Sequence, residues 1–224
     1  MSVGLVYDPV YLRHGAGWHV ECPERLTATL AVLEKRGVRE KLKDIKSRAA
    51  TAEEVALVHS PAYIEQVEIF CRAGGGHLDP DTFVNTASFE VAMQAVGGVL
   101  AAVDAVVTAD THRAFALVRP PGHHALPDRA MGFCLFNNVA VAARYAARKH
   151  GLGRILIVDW DYHHGNGTEA MFYDDDSVLF ISTHQSPFYP GTEALTDTGA
   201  GRGRGYTINI PLASGHGDAS YAAL

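Results

Sequence analysis

Two carboxylates and two imidazoles stand close together directly after one apolar run. The run RILIV at 154–158 ends at Asp159, and Asp161, His163 and His164 follow almost at once. Oxygen and nitrogen donors without sulfur suit a catalytic zinc or a similar divalent metal. A carboxylate and an imidazole two residues apart at a strand end can reach one cation, which predicts Asp161 and His163 as ligands. Asp159 lies deeper and is predicted to hold a histidine ring.

The alternation of side chains along an extended chain sorts these residues onto two faces. Asp159, Asp161 and His163 would share one face. Trp160, Tyr162 and His164 would share the other face if the extended form continues beyond the strand.

A second histidine pair follows a stiff turn in RPPGHHA at 119–125. The two prolines restrict the backbone and remove two N–H donors, while Gly122 permits a close approach. Adjacent histidines point in different directions unless the backbone is not extended. Near one metal, His123 and His124 could act as general base and general acid, provided that their neighbours separate their pKa values.

Aromatic residues stand in two further loops. Phe188 and Tyr189 lie beside prolines in STHQSPFYPGT, and Phe133 lies in GFCLFNN. Such residues line a narrow apolar channel or simply pack, and their types alone leave both interpretations open. Cys134 is predicted to be a small buried apolar residue rather than a nucleophile.

Strand and helix patterns alternate along the chain. The patterns predict strands at 3–8, 114–118, 154–159, 177–183 and 206–212, and helices at about 23–37, 86–109 and 138–150, with two helical pieces from Glu53 broken at Pro61. Continuous apolar strands between helices indicate a parallel sheet that is covered on both faces. Ligands bind at the carboxyl ends of such strands, so the three polar loops are expected at one edge.

Length and composition favour a single domain and exclude several classes of protein. The chain has 224 residues, a net charge of -6 and three cysteines. No basic stripe of the kind that nucleic acids require is present, so direct nucleic-acid binding is not expected. Neither a long uninterrupted apolar stretch nor a signal peptide is evident, which predicts a cytoplasmic protein without a membrane contact. The scattered cysteines, which lack a CxxC pair, argue against disulfides and thiolate zinc sites.

In this order, RPPGHHA, GFCLFNN, ILIVDWDYHHGNGT and FYPGT resemble the zinc-dependent histone deacetylase and acetylpolyamine amidohydrolase family. Asn166 in WDYHHGNGT is similar to the class II branch and its bacterial relatives. The resemblance covers nearly the whole chain. It implies one deacetylase-like domain over 1–224, with a three-layer α/β/α arginase–deacetylase-like fold and a mainly parallel sheet.

The resemblance also implies a ligand set. One zinc would be held by Asp161, His163 and a later Asp. A structural potassium ion would lie beside the same strand, where Asp159, Asp161, His163 and Ser182 occupy the matching positions.

The chemistry implied by the resemblance is hydrolysis of an N-acyl amine by water that the metal activates. His124 would take the proton of the water and return it to the leaving amine, and His123 would assist electrostatically. Asp159 would be the partner of His123, and Asn166 the partner of His124.

Phe133, Phe188 and Tyr189 are expected to line the channel for the acylated side chain. The substrate would be an acetyl-lysine peptide or an acetylpolyamine, between which the sequence does not choose. It also leaves a homo-oligomer open.

The sequence departs from the family at its end. In the family, the third zinc ligand and a carbonyl-polarising Tyr or His lie in later loops, whereas this chain stops at Leu224. The expectation is therefore a C-terminally truncated chain that lacks its last strands and is inactive alone.

Two alternatives remain. A non-catalytic remnant of the fold could bind acyl groups or amines. A two-metal ureohydrolase resembling arginase is disfavoured, because Gly165 stands two residues after His163 where a further Asp would be needed.

Overall fold

The computed structural model describes residues 1–15, 17, 19–192 and 194–223. They form two compact units, residues 1–151 and 152–224. The single-domain interpretation of the sequence stays a prediction.

The first unit is built on a parallel sheet and long helices. Its elements are β1 (Val3–Val6), α1 (Glu24–Lys35), β2 (Leu42–Ile45), α2 (Ala52–Val55), α3 (Pro61–Arg72), β3 (Gly76–Asp79), β4 (Thr82–Val84), α4 (Ser88–Val107), β5 (Arg113–Ala116) and α5 (Asn138–His150), with short 3-10 turns at Pro9–Arg13 and Arg39–Lys41. Strand β1 lies between β2 and β5, and both pairings are parallel. Strands β3 and β4 form a separate antiparallel pair.

Helix α4 forms much of the core of this unit. Met93, Val96 and Leu100 are buried, as the spacing of apolar residues predicts, but Val107 is 40% exposed, so that prediction is wrong at the last turn. Gly97 lets the helix approach the chain at 48–50, where an added Cβ would lie 2.1 Å from the Arg48 carbonyl oxygen. By length and composition α4 could cross a membrane, but half of its most apolar stretch is buried inside the protein, which is typical of a core helix.

Helix α5 begins and ends at the predicted residues. The Asn137 side chain caps it by accepting the N–H of Ala140 at 3.0 Å. Gly151 closes the helix with φ 68°, a left-handed conformation that favours glycine. These local signals are strong because each satisfies backbone groups that the helix itself leaves without partners.

The second unit contains a parallel sheet, a helix of two turns and a helix of one turn. Its elements are β6 (Ile155–Asp159), α6 (Asn166–Phe172), β7 (Val178–Gln185), β8 (Thr207–Leu212) and α7 (Asp218–Tyr221), with a 3-10 turn at Gly201–Gly203. The strand order is β6-β7-β8 and both pairings are parallel. Ile157, Val178 and Phe180 of the sheet are buried, and so is Phe172 of α6.

The observed strands confirm the α/β class with mainly parallel sheets, and they correct some boundaries. Strand β5 ends at Ala116 rather than at 118. Leu117 still donates to the Val6 carbonyl, but Pro120 and Pro121 carry no N–H and cannot continue the ladder. Strand β2 and the β3–β4 pair were not predicted.

Acid should weaken the protein through His59, which is buried between α2 and α3. Its Nε2 accepts the backbone N–H of Asn137 at 2.8 Å, so the ring must be neutral at that nitrogen. Burial lowers the pKa of His59 to about 4, against a smaller opposing effect of the Pro127 and Leu126 carbonyls. The folded pKa is below the unfolded one. This contribution is therefore complete above about pH 6.5 and is lost as the pH falls through about 4, a change of roughly 3 kcal/mol.

Urea unfolding between pH 7 and pH 4 measures this loss. The free energy of unfolding should change less steeply with pH in His59→Gln than in the wild-type protein. An unchanged slope in that variant would assign the acid sensitivity to other groups.

Candidate functional site

The predicted histidine pair lies in a turn that follows β5. The rings of His123 and His124 have centroids 4.0 Å apart and planes inclined by 42°. His124 is only 3% exposed, whereas His123 is half-buried. Because the backbone turns here, adjacent side chains lie together instead of on opposite faces. The two rings consequently meet different surroundings, as a division of roles between them requires.

Residues around α5 hold the loop that carries the histidine pair. The Asn138 side chain donates to the Pro120 carbonyl at 3.1 Å, and the Ala125 N–H donates to the Gly122 carbonyl at 3.0 Å. A Cβ on Gly122 would lie 2.5 Å from the backbone nitrogen of Asn138. The predicted close approach at Gly122 is therefore confirmed.

Gly132 covers the ring of His124. Its φ is 56°, and a Cβ there would lie 2.3 Å from Cδ2 of His124. Gly132→Ala should therefore lower the free energy of unfolding by about 2–3 kcal/mol, through left-handed strain and overpacking, and displace the imidazole. Chemical denaturation and the ring resonances of His124 measure the two effects.

Gly151→Ala is the matched control, because Gly151 has φ 68° but nothing within 4 Å of an added Cβ. It should cost about 1 kcal/mol and leave His124 unchanged. Equal effects of the two substitutions would mean that Gly132 does not confine the imidazole.

Phe133 has an unusual backbone conformation for a bulky residue, with φ 71°. Its N–H donates to the Thr82 hydroxyl at 3.1 Å, and its ring meets the edge of His19 with centroids 4.8 Å apart. Strained conformations of this kind concentrate at functional sites. The role of Phe133 as a channel wall stays a prediction.

A buried ion pair precedes the histidine pair and was not predicted. The guanidinium of Arg119 donates to both carboxylate oxygens of Glu21, at 2.5 and 2.7 Å, and to the Tyr11 carbonyl at 2.8 Å. The other side of the Glu21 carboxylate faces Nε2 of His14 at 3.5 Å, and Nδ1 of His14 lies 2.7 Å from the Ser88 hydroxyl. Burial alone would raise the pKa of Glu21, but His14 and Arg119 outweigh it and lower the pKa to about 2.

In the second unit, the chain bends after β6 instead of remaining extended. The N–H of Asp161 donates to Oδ1 of Asp159 at 3.1 Å, and the N–H of His163 donates to Oδ1 of Asp161 at 2.8 Å. Short local bonds of this kind favour turns over strands. The expected common face of Trp160, Tyr162 and His164 is therefore wrong.

Burial shows the same division between these residues. Trp160 is 75% exposed, whereas His164 is fully buried. His164 Nε2 lies 3.2 Å from a Glu169 carboxylate oxygen and its Nδ1 lies 3.0 Å from the Thr192 hydroxyl. Asn209 donates to the same Glu169 oxygen at 2.6 Å. These partners make burial of His164 tolerable, and none of them could be inferred from spacing in the sequence.

The two predicted zinc ligands face each other in this bend. Nδ1 of His163 lies 3.1 Å from Oδ1 of Asp161, and both side chains are partly open to solvent. Gly165 lies against Asp159, since a Cβ there would be 2.2 Å from the Asp159 Oδ2. A glycine is needed at 165 for the carboxylate of Asp159 to keep its place.

The remaining predicted residues of the second unit lie near this carboxyl end. Ser182 is opposite Asp159 in the β6–β7 register, is buried, and contacts Nδ1 of His184 at 2.8 Å. Asn166 is the first residue of α6 and is 8% exposed.

Two aromatic residues surround the imidazole of His163. The ring of Phe188 is 5.5 Å from it and the ring of Tyr189 is 6.0 Å from it, between centroids. Both aromatic residues are partly exposed. They place an apolar wall beside the predicted ligand, as a channel would require.

The predicted site residues thus fall into two groups. The first unit holds His123, His124 and Phe133, and the second holds Asp159, Asp161, His163, Asn166, Ser182, Phe188 and Tyr189. The proposed pairings of His123 with Asp159 and of His124 with Asn166 join residues of different units and stay predictions. In the described ranges of the chain, no group of three or more His, Cys, Asp or Glu side chains is arranged to hold a metal.

Comparison with known proteins identifies the family. Residues 19–224 match the model of the histone deacetylase domain. A probable deacetylase of Archaeoglobus fulgidus is 43% identical over 99% of this chain and 62% of its own length. The polyamine deacetylase HDAC10 of Rattus norvegicus is 45% identical over the whole chain and 41% of its own length.

A solved structure agrees with these relatives. The crystal structure of the HDA15 HD domain matches with a TM-score of 0.89 and 39% identity, over 94% of this chain and 61% of that protein. The likeness supports the arginase–deacetylase-like α/β fold that the motifs imply. The chain spans about two fifths to three fifths of the length of these three proteins. It belongs to the histone deacetylase domain family.

Proposed function

We propose that this protein is a zinc-dependent hydrolase that removes acetyl groups from acetylated amines. The single observation that carries the proposal is the position of the Asp161 and His163 side chains after β6. Nδ1 of His163 lies 3.1 Å from Oδ1 of Asp161. Deacetylase names among the relatives support the reaction class, and the buried His124 supports proton transfer.

The donor pair fits zinc. Two ligands that each lie about 2.0–2.1 Å from a tetrahedral ion are about 3.3 Å apart, close to the observed separation. The pair combines oxygen and nitrogen donors, which is typical of catalytic rather than structural zinc. A bound zinc would polarise the amide carbonyl and make the attacking water more acidic. Two protein donors leave positions for a further ligand and for water.

His124 is the proposed general base. Its buried ring would accept a proton from the attacking water and return it to the nitrogen of the leaving amine, because the amine leaves far more easily when protonated. The half-buried ring of His123 would stabilise negative charge that develops on the former carbonyl oxygen. Asp159 would orient His123, and Asn166 would orient His124.

A potassium ion beside β6 is proposed as a structural element. Asp159 and Ser182 stand opposite each other in the sheet register and offer oxygen ligands, which suit a hard monovalent cation. With Asp161 and His163 nearby, such an ion would hold the backbone of the strand end in place.

The substrate class follows from the walls and the charge. Phe188 and Tyr189 offer apolar contact to a methylene chain, as Phe133 would in its own unit. The net charge of -6 favours a cationic substrate such as a lysine-rich peptide or a polyamine. Acetyl-lysine peptides and acetylated polyamines are therefore both candidates.

Release of acetate from an acetyl-lysine peptide and from an acetylated polyamine tests the proposal. A purified protein that contains this chain at the full length of its relatives should release acetate with zinc present and lose this activity on chelation. Binding of the acetylated amine without turnover would instead favour the acyl- or amine-binding alternative. Two metals per chain would favour a ureohydrolase.

A further inference from the structure

The Arg119–Glu21 ion pair stands where it can control the histidine pair. Arg119 is the last residue before the Pro120–Pro121–Gly122 turn, and it is 2% exposed. Its guanidinium donates hydrogen bonds to both carboxylate oxygens of Glu21 and to the Tyr11 carbonyl. A planar guanidinium held by three acceptors has one orientation, so the backbone at 119 has little freedom.

Stiff chain connects this anchor to the imidazoles. Two prolines follow Arg119, and the Pro120 carbonyl accepts from Asn138. The short path from the guanidinium to the histidine pair therefore contains few free torsions. A change in how Arg119 is held would move His123 and His124 directly.

The other end of the ion pair reaches the predicted channel wall. The backbone N–H of Glu21 donates to Nδ1 of His19 at 3.1 Å. The ring of His19 in turn packs edge-on against Phe133. Glu21 is thus linked through its backbone to Phe133 and through its carboxylate to Arg119.

We infer that the Glu21–Arg119 ion pair is a positioning device. It fixes the placement of the His123 and His124 rings relative to Phe133. The pair touches no reacting group itself. The expected effect of this pair on catalysis rests on the proposed function, whereas its effect on the placement of the two histidine rings does not. A Lys at 119 would keep the charge but not the forked geometry, so the conservative change should still release the loop.

The test uses the whole 224-residue protein and nuclear magnetic resonance. The reporters are the ring signals of His123 and His124 and the hydrogen exchange of the Ala125 amide, which is bonded to the Gly122 carbonyl. Arg119→Lys should shift or broaden both ring signals and speed exchange of the Ala125 amide by about tenfold or more. Arg48→Lys is the matched control, since Arg48 also holds a glutamate, Glu54, with two bonds of 2.7 Å.

A second variant separates positioning from stability. Glu21→Gln with Arg119→Met removes both charges, so no uncompensated charge is left in the interior and the fold should survive. The His123 and His124 signals should still change in this double variant. Unchanged ring signals in both variants at position 119, or equal changes in Arg48→Lys, would overturn the inference.

Where the wild-type protein releases acetate, kinetics add an independent arm. Arg119→Lys should reduce kcat by about 100-fold with KM nearly unchanged, because a misplaced base impairs chemistry more than binding. A wild-type protein of the relatives' full length that releases no acetate would refute the proposed function but leave the resonance experiment to decide on the positioning device. A higher KM with unchanged kcat in Arg119→Lys would count against the positioning device.

Discussion

Glu21→Ala should lower the free energy of unfolding by about 3–5 kcal/mol, because it leaves the Arg119 guanidinium buried without its partner. Arg119 and Glu21 are 2% and 3% exposed, so water cannot replace the lost carboxylate. The low pKa of Glu21 expresses the same stabilisation of its charged form by His14 and Arg119. Urea denaturation near neutral pH measures the loss.

The exposed pair of Arg13 and Glu90 provides the control for this substitution. Its atoms approach to 3.1 Å, but its side chains are 54% and 64% exposed. Glu90→Ala should therefore change the free energy of unfolding by less than about 1 kcal/mol. Similar losses for Glu21→Ala and Glu90→Ala would contradict the assignment of the buried pair as a main structural anchor.

His124→Ala should reduce the rate of acetate release by about 100-fold to 10,000-fold, the usual contribution of a general base. The expected loss is in kcat, since the ring is proposed to move protons rather than to bind the acylated amine. Steady-state kinetics on an acetyl-lysine peptide, with a protein of the relatives' full length, measures it.

His112→Ala is the comparison for this variant, because His112 is an exposed histidine that bonds Ser2. It should keep the wild-type rate. A His124→Ala protein that retains more than about a tenth of wild-type kcat would exclude His124 as the principal base.

Local signals allowed several elements to be predicted from the sequence. Helix α5 has a capping Asn137 before it and a left-handed Gly151 after it, and both act through neighbouring backbone groups. The Thr51–Glu54 capping box is present with both of its reciprocal bonds. Strands β6, β7 and β8 are apolar runs, and this pattern predicts strands. Strand β2 carries Lys43 and Asp44 on four residues, which gives too weak a pattern to be predicted.

The candidate site also has one part that the local sequence indicates and another part that it does not. Asp161 and His163 are close in sequence, and the structure places Nδ1 of His163 3.1 Å from Oδ1 of Asp161. Their role as zinc ligands stays a prediction. Glu21 and Arg119 are 98 residues apart, and nothing in either local sequence indicates the other. His164 was assigned to the wrong face because side-chain bonds to Asp159 and Asp161 end the extended conformation, a competition that a period-two pattern does not contain.

The metal content of a purified protein that contains this chain at the full length of its relatives tests the central claim most directly. After equilibration with micromolar zinc and removal of excess, elemental analysis should find about one zinc per chain, because the Asp161–His163 pair offers a single site. His163→Ala should reduce that content to background, whereas His112→Ala should not. Two metals per chain, no zinc, or a content that His163→Ala leaves unchanged would contradict the assignment of this pair as the zinc ligands.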